Sequence, residues 1–248
     1  MYNLGLVSIS FRNSDFETII KCAKAAGLSC IEWGSDVHAP KDDTKKLNTI
    51  AELQKKYGIS CSSYGTYFRL GETPLESLEG YIKAARVLGT EILRLWCGNK
   101  GSQKYSSAER NSLVNECIKA AKIAESNKVT ICMECHDGTF TDTKESALYL
   151  MRAVNSNSFR MYWQPNQYRT EDENFQYAEA LSKYTEHIHV FNWCGNQRLS
   201  LNNGIDVWKK YIKKFENNKT LLLEFMPDNN IDSLSIEAEA LRKITEMI

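Results

Sequence analysis

Histidine is scarce in this chain, with four residues in 248, and charge of either sign is in no excess, since Lys plus Arg and Asp plus Glu each total 31. That balance leaves no overall positive field to gather nucleic acid or an anionic membrane. No apolar run approaches the roughly 20 residues a membrane-spanning helix needs. The opening segment, Met-Tyr-Asn-Leu-Gly-Leu-Val-Ser-Ile-Ser, lacks both a basic region and a cleavage site. A cytoplasmic protein with no membrane or nucleic-acid partner is expected. No G-x-G-x-x-G or G-x-x-x-x-G-K-[ST] loop occurs, so the common dinucleotide and nucleotide cradles are missing. Without a G-x-S-x-G elbow, a Ser/His/Asp hydrolase is poorly supported. Low-complexity runs and hydrophilic linkers are absent too, which favours one domain over residues 1–248.

Eight cysteines, at 22, 30, 61, 97, 117, 132, 135 and 194, are spread along a chain large enough to fold without staples, so free thiols are expected. Cys132 and Cys135 have C-x-x-C spacing, but three apart on a strand they point to opposite faces and do not share a zinc ion. The Asn218-Lys-Thr220 sequon carries little weight without a secretion signal.

Eight short apolar or β-branched segments stand out: Leu4 to Ser10, Ser29 to Trp33, Ile59 to Tyr64, Ile92 to Cys97, Val129 to Cys135, Met161 to Gln164, His187 to Phe191 and Leu221 to Phe225. Amphipathic stretches separate them: Ser14 to Ala26, Thr44 to Tyr57, Leu75 to Leu88, Ala108 to Ser126, Lys144 to Val154, Asp172 to Leu181, Asp206 to Phe215 and Ile231 to Met247. The first opens on Ser14 or Asp15 as N-cap. Gly27, Gly58 and Gly89 follow helices and precede strands, as C-terminal caps do. Eightfold alternation of this kind predicts a parallel sheet with crossover helices. An open doubly wound sheet is the alternative, but no glycine-rich phosphate loop follows any strand, and at about 250 residues the α/β fold expected is a single (β/α)8 TIM barrel.

Four of the runs end in side chains of metal-binding type: Glu134, Gln164, His189 and Glu224. Parallel strands bring such ends to one edge, where α/β proteins keep their active sites. An ionised carboxylate inside a barrel strand costs several kcal/mol unless it is paired or ligates a metal. For a lone Glu, a solvated strand end or an ion pair has about equal weight; two at matching places, with an amide and an imidazole between them, shift the balance towards a site. His38, His136, His187 and His189 all lie in or just beyond predicted strand ends, and none decorates a helix. A core histidine is the commoner reading for any one of them, whereas the set is better explained by a site. His187 and His189 share strand parity and face the interior together, the outer one placed to ligate and the deeper one to pack or to hydrogen-bond it. Two carboxylates, an amide oxygen and an imidazole form an oxygen-rich set. It suits Mn²⁺ first, with Mg²⁺, Co²⁺ or Zn²⁺ as alternatives.

At these residues the chain resembles the xylose-isomerase-like TIM-barrel superfamily, in its sugar phosphate isomerase/epimerase branch, which also holds ketose 3-epimerases, hydroxypyruvate isomerase and inosose dehydratase. The likeness covers essentially the whole chain. It rests on Ile31-Glu-Trp-Gly-Ser-Asp-Val-His38, Arg94-Leu-Trp96, Glu134-Cys-His-Asp-Gly-Thr139, Trp163-Gln-Pro-Asn166, His187-Ile-His-Val-Phe191 and Leu223-Glu-Phe225. The resemblance implies one divalent metal held by Glu134, Gln164, His189 and Glu224. Gln164 stands where the family has Asp, so the two glutamates just balance M²⁺, which implies weaker metal retention and a stronger Lewis acid. A family histidine three residues beyond that Asp is replaced by Gln167, against a simple 3-epimerase. The resemblance also implies substrate contacts at His136 and Arg198; His38, Arg94, Trp96, Asn166, Gln167 and His187 complete the candidate substrate-binding set.

The activity it implies is sugar isomerisation or epimerisation by proton transfer through a metal-bound enediolate, with Glu134 and Glu224 as proton acceptor and donor on opposite faces of the substrate. A free Glu, pKa about 4.3, is a feeble base for a sugar C–H. The metal must therefore supply several kcal/mol as a Lewis acid, while positioned acid/base groups add about 10² to 10⁴ in rate. Trp33, Trp96, Trp163 and Trp193 lie near strand ends, where stacking on sugar C–H faces and packing of the barrel mouth have about equal weight. Lys100, Arg94, Arg169 and Arg198 are available for a phosphate, although no glycine-rich anion loop supports one. The rivals are a dehydratase or lyase on the same site, a non-catalytic sugar-binding barrel in which Gln164 marks a decayed site, and, less favoured, an endonuclease IV-like hydrolase, which needs a His-rich site and a basic face. A homo-oligomer stays open.

Overall fold

The computed structural model describes residues 2–246, and its elements follow the alternation read in the sequence. In chain order the strands are β1 (Asn3–Val7), β2 (Cys30–Gly34), β3 (Ser60–Leu70), β4 (Ile92–Cys97), β5 (Thr130–Glu134), β6 (Phe159–Trp163), β7 (Thr185–Val190), β8 (Asn192–Cys194), β9 (Gln197–Leu199) and β10 (Thr220–Leu223). The helices are α1 (Phe16–Ala25), α2 (Thr44–Tyr57), α3 (Leu78–Leu88), α4 (Ser107–Ser126), α5 (Lys144–Val154), α6 (Glu171–Leu181), α7 (Ile205–Ile212) and α8 (Leu234–Thr245). Strands β1 to β7 pair in parallel in sequence order, and β10 closes the ring between β7 and β1. This is a single (β/α)8 TIM barrel.

Local chemistry sets the boundaries. Asp15 caps α1 by accepting from the Thr18 amide, and reciprocal capping boxes open α4 at Ser106/Glu109 and α6 at Thr170/Glu173. Gly58 and Gly89 end α2 and α3 in the left-handed region, at φ 63° and 87°, where a Cβ is strained. Several boundaries differ from the sequence reading. β1 stops at Val7, and Ser8–Phe11 form a 3-10 turn instead of extending the strand to Ser10. β3 runs on past Tyr64 to Leu70. Short 3-10 turns, Leu75–Ser77 and Ile231–Ser233, precede α3 and α8. α7 ends at Ile212, short of the expected Phe215. Met247, the expected end of the last helix, lies outside the described residues.

Two cores result. The large one lies between barrel and helices; there Trp163 is fully buried against Trp208, Tyr211 and Phe215, and Trp33 donates to Gln54 at 2.7 Å. These two indoles pack the outer layer instead of the mouth. The apolar core inside the barrel is small: Val7, Ile9, Cys30, Cys132, Tyr162 and Leu222. Barrel interiors are ordinarily filled by branched apolar side chains. Here the upper interior positions of β2, β4, β5 and β7 carry Glu32, Arg94, Glu134 and His189. All eight cysteines are free thiols, and Cys132 and Cys135 fall in different core clusters. Among the described residues no helix is long and apolar enough to cross a membrane.

Candidate active site

A cavity of about 330 Å³ opens beyond the carboxyl ends of the strands, the face on which TIM barrels carry their sites. Glu134, Gln164 and Glu224 line it, below Arg12, Tyr67, Trp96, His136, Gln167, Trp193 and Phe225. Glu134 is the last residue of β5, Gln164 follows β6, and Glu224 follows β10 with its amide bonded to the Val190 carbonyl at 3.0 Å. His189 lies between them, fully buried in β7.

The other three side chains converge on one of its ring nitrogens. Nδ1 of His189 is 2.9 Å from Gln164 Oε1 and 3.5 Å from both Glu134 Oε1 and Glu224 Oε2. Glu134, His189 and Glu224 each offer a ligand atom within 4.8 Å of the others, in a buried cluster that could hold a metal ion. Ligand atoms about 2.1 Å from a common ion lie roughly 3.0 to 3.5 Å apart for angles between 90° and tetrahedral. The separations from Nδ1, 2.9 to 3.5 Å, lie at or within about 0.1 Å of that range, so the donor set fits a divalent cation.

Beneath the cluster sits an ion-pair network. Arg94 Nε donates to Glu32 Oε1 at 2.8 Å and Nη1 to Glu134 Oε2 at 2.5 Å, with the guanidinium only 2% exposed. Trp96 Nε1 also donates to Glu134 Oε2, which leaves Oε1 facing the cluster. Glu32 Oε2 accepts from Ser63 Oγ at 3.1 Å and lies 3.3 Å from His189 Nε2. Gly65 makes room for the pair, because a Cβ there would stand 2.6 Å from Glu32 Oε1 and 3.0 Å from Arg94 Nη2. With His189 neutral, as a metal ligand must be, three buried carboxylates face one buried guanidinium, an excess of two negative charges that one divalent ion would neutralise.

The electrostatics follow from these contacts. Burial pushes the Glu32 carboxyl up, but Arg94 and His189 override it and hold it at about 2. Burial likewise opposes ionisation of Glu134, and Arg94 and His189 hold it well below the carboxylate range. Glu224 has burial as its largest influence and stays raised despite His189. Burial disfavours the His189 imidazolium, yet Glu224, Glu32 and Glu134 bring it to about 10.

The remaining sequence candidates separate into two groups. Arg94, Trp96, His136 and Gln167 line the cavity with the ligand set. His136 packs against Trp96 with the rings tilted at 47° and 5.3 Å between their centres. His187 lies deeper, bonded to the Glu186 and Ser62 carbonyls and packed edge-on against Tyr162, so it supports the barrel below the site. His38 is 2% exposed with both ring nitrogens engaged, by Ser8 Oγ and the Ser14 carbonyl, and does not reach the cavity. Asn166 turns away into a neighbouring 210 Å³ groove and caps the Tyr168 amide. Arg198, on the β8–β9 hairpin, lies 4.9 Å from the Trp193 ring centre and 4.4 Å from that of Phe225 and is not among the residues lining the cavity. Lys100 pairs with Glu109, and Arg169 bonds the Asp142 carbonyl, so neither offers a phosphate contact inside the cavity.

Glu32, Arg12, Tyr67 and the hairpin that brings Trp193 to the mouth are features that sequence reasoning passed over. Glu32 had a readable signal, as a lone acid between Ile31 and Trp33 inside a strand. Tyr67 had none, since it depends on β3 running past the barrel rim.

A closed parallel barrel with a buried cluster that could hold a metal ion, set under an aromatic mouth, points to the class of TIM barrels with a site at the carboxyl ends of the strands. More specifically, residues 20–244 match the xylose isomerase-like TIM barrel family, and the chain belongs to it. A curated relative, the 3-dehydroshikimate dehydratase of Bacillus anthracis, is 27% identical over 168 residues, covering 60% of this chain and 57% of that protein. The chain thus matches little more than half the length of that relative. Among solved structures, the probable 3-DHS dehydratase AsbF of Bacillus anthracis superposes with a TM-score of 0.81 at 19% identity, covering 98% of this chain and 99% of that one. The IOLI protein with a bound zinc atom gives 0.81 at 15% identity over 98% of each chain. The D-allulose 3-epimerase of a Methylomonas species, in complex with D-allulose, gives 0.74 at 15% identity over 100% of this chain and 97% of that one.

Proposed function

We propose that the protein is a divalent-metal-dependent sugar isomerase or epimerase that moves a proton at the carbon next to a carbonyl of a small polyhydroxylated substrate. The observation that carries this reading is the convergence of Gln164 Oε1, Glu134 Oε1 and Glu224 Oε2 on His189 Nδ1 in the cavity. Those four residues would hold the cation, Mn²⁺ by preference for an oxygen-rich set. When bound, it supplies Lewis acidity that lowers the barrier to removing a proton next to the carbonyl.

The chain's own groups divide the remaining work. Glu134 is held at Oε2 by Arg94 and Trp96, which fixes it as a ligand and limits its reach to a substrate C–H. Glu224 carries no such clamp on its carboxylate, and its raised affinity for a proton suits it to accept one and return it. Proton transfer, expected of both glutamates, therefore falls chiefly to Glu224. His136 and Gln167 on one wall can orient hydroxyls, while Phe191, Trp193 and Phe225 present an apolar wall that excludes water.

That apolar wall, together with the curated dehydratase relative, favours a second reading on the same site: Glu224 takes the α-proton of a β-hydroxy ketone and returns it to the departing β-hydroxyl, so that water and an α,β-unsaturated ketone form. Incubation in D₂O with Mn²⁺ and a panel of keto-sugars and cyclic hydroxy-ketones separates the two. Deuterium incorporation without loss of water supports isomerisation or epimerisation. Formation of a conjugated product supports dehydration. A Mn²⁺-loaded protein that exchanges no deuterium with any member of the panel refutes both.

A further inference from the structure

His189 can face the cluster productively in only one tautomer. Its Nδ1 is the atom near Glu134, Gln164 and Glu224, so that nitrogen must present its lone pair to a cation and the ring proton must sit on Nε2. On the Nε2 side the ring meets a single acidic group, Glu32 Oε2 at 3.3 Å. Glu32 is itself over-determined. It is fully buried, fixed by Arg94 Nε at 2.8 Å and by Ser63 Oγ at 3.1 Å, and Ser63 in turn accepts from the Tyr162 hydroxyl at 2.6 Å. The Gly65 backbone leaves the space that this arrangement occupies. Such investment is not needed to fill a barrel, since an apolar residue at position 32 would avoid desolvating a carboxylate.

We propose that Glu32 is a positioning residue for the cation site: it holds the proton on His189 Nε2, aims Nδ1 at the ligand cluster, and supplies from one layer below the negative charge that Gln164 does not bring. Carboxylates placed behind a ligating histidine fix its tautomer and raise its basicity, and their loss weakens metal binding by about 10- to 100-fold. The assignment rests on the cation-site reading above, and its test keeps the two apart.

The test uses full-length protein carrying ¹⁵N-histidine, titrated with Zn²⁺ against a competing chelator and observed by long-range ¹H–¹⁵N correlation. Four histidines make the spectrum assignable. Wild-type protein should bind Zn²⁺ with His189 as the Nε2–H tautomer and a metal-shifted Nδ1. Glu32→Gln should weaken Zn²⁺ binding about 10- to 100-fold and give a mixed or reversed tautomer, a change that a purely structural role would not produce. Should the single variant fold poorly, Glu32→Gln with Arg94→Met removes both charges of the pair, and the same loss of the Nε2–H tautomer is expected. Tight wild-type binding that Glu32→Gln leaves unchanged, tautomer included, overturns the role of Glu32 alone. Wild-type protein that binds no Zn²⁺ overturns the cation site as well.

Discussion

Replacing Arg94 by Met tests the network under the site. The guanidinium is 2% exposed and bridges Glu32 and Glu134, so its removal leaves two buried carboxylates without their main counter-charge. Breaking a buried pair from one side costs about 3–5 kcal/mol. For a domain of this size each kcal/mol shifts the melting temperature by roughly 2–4 °C, so a fall of about 6–20 °C is expected at neutral pH in chelator-treated protein. Glu32 is depressed from 4.5 to about 2, so its contribution is present above pH 4.5 and is lost as pH falls through 2. The gap between wild type and variant should therefore be full at pH 7 and shrink between those two values. Adding Glu32→Gln to the variant should recover part of the loss, since one of the two stranded charges is gone. Cation binding should move the other way, because the Arg94 guanidinium bound to Glu134 Oε2 repels a cation placed at Oε1. Calorimetric scans with and without Mn²⁺ measure both effects. A loss below about 1 kcal/mol at pH 7, or one that does not depend on pH, would refute the account of a charge-balanced floor.

Glu224→Gln should abolish solvent deuterium incorporation into product while leaving the fold intact; retained exchange removes Glu224 from proton transfer. Gln164→Glu adds one charge to the ligand set, worth about 8 kcal/mol of attraction to a doubly charged ion at 4 Å and an effective dielectric near 20, offset by repulsion from Glu134 and Glu224. A net gain of at least about tenfold in Mn²⁺ affinity is expected from chelator competition, and an unchanged constant would show that position 164 is not a ligand. In protein stripped of metal the His189 imidazolium titrates at about 10, so a cation must displace its proton. Binding should then strengthen with rising pH between 6 and 8 and release about one proton, readable by titration calorimetry in buffers of different ionisation enthalpy; no proton release would contradict Nδ1 ligation.

The barrel was legible because each strand is a compact apolar run and each helix has one apolar stripe, with Gly58 and Gly89 marking the turns between them. Glu134, Gln164, His189 and Glu224 were legible as strand ends, and the structure brings all four together. Residues whose roles depend on the partner strand were not legible. Glu32 reads as one acid in Ile-Glu-Trp until Arg94, 62 residues later, is placed beside it by closure of the sheet. His38 and His187 carry the same chemistry as His189 but find backbone carbonyls or a serine hydroxyl, a distinction set by depth in the barrel and invisible in spacing. The hairpin escaped notice because two strands of three residues are too short to show a period.

One feature of that hairpin has practical use. Cys194 at its turn is exposed, Cys22 is half-buried, and the other six thiols are buried. Its strand partner is Gln197, and the neighbouring Trp193 lines the cavity. A maleimide fluorophore should therefore couple selectively at the turn of the wild-type protein, next to an indole able to quench it. Ligands entering the cavity could then be screened by emission alone, before any substrate is known.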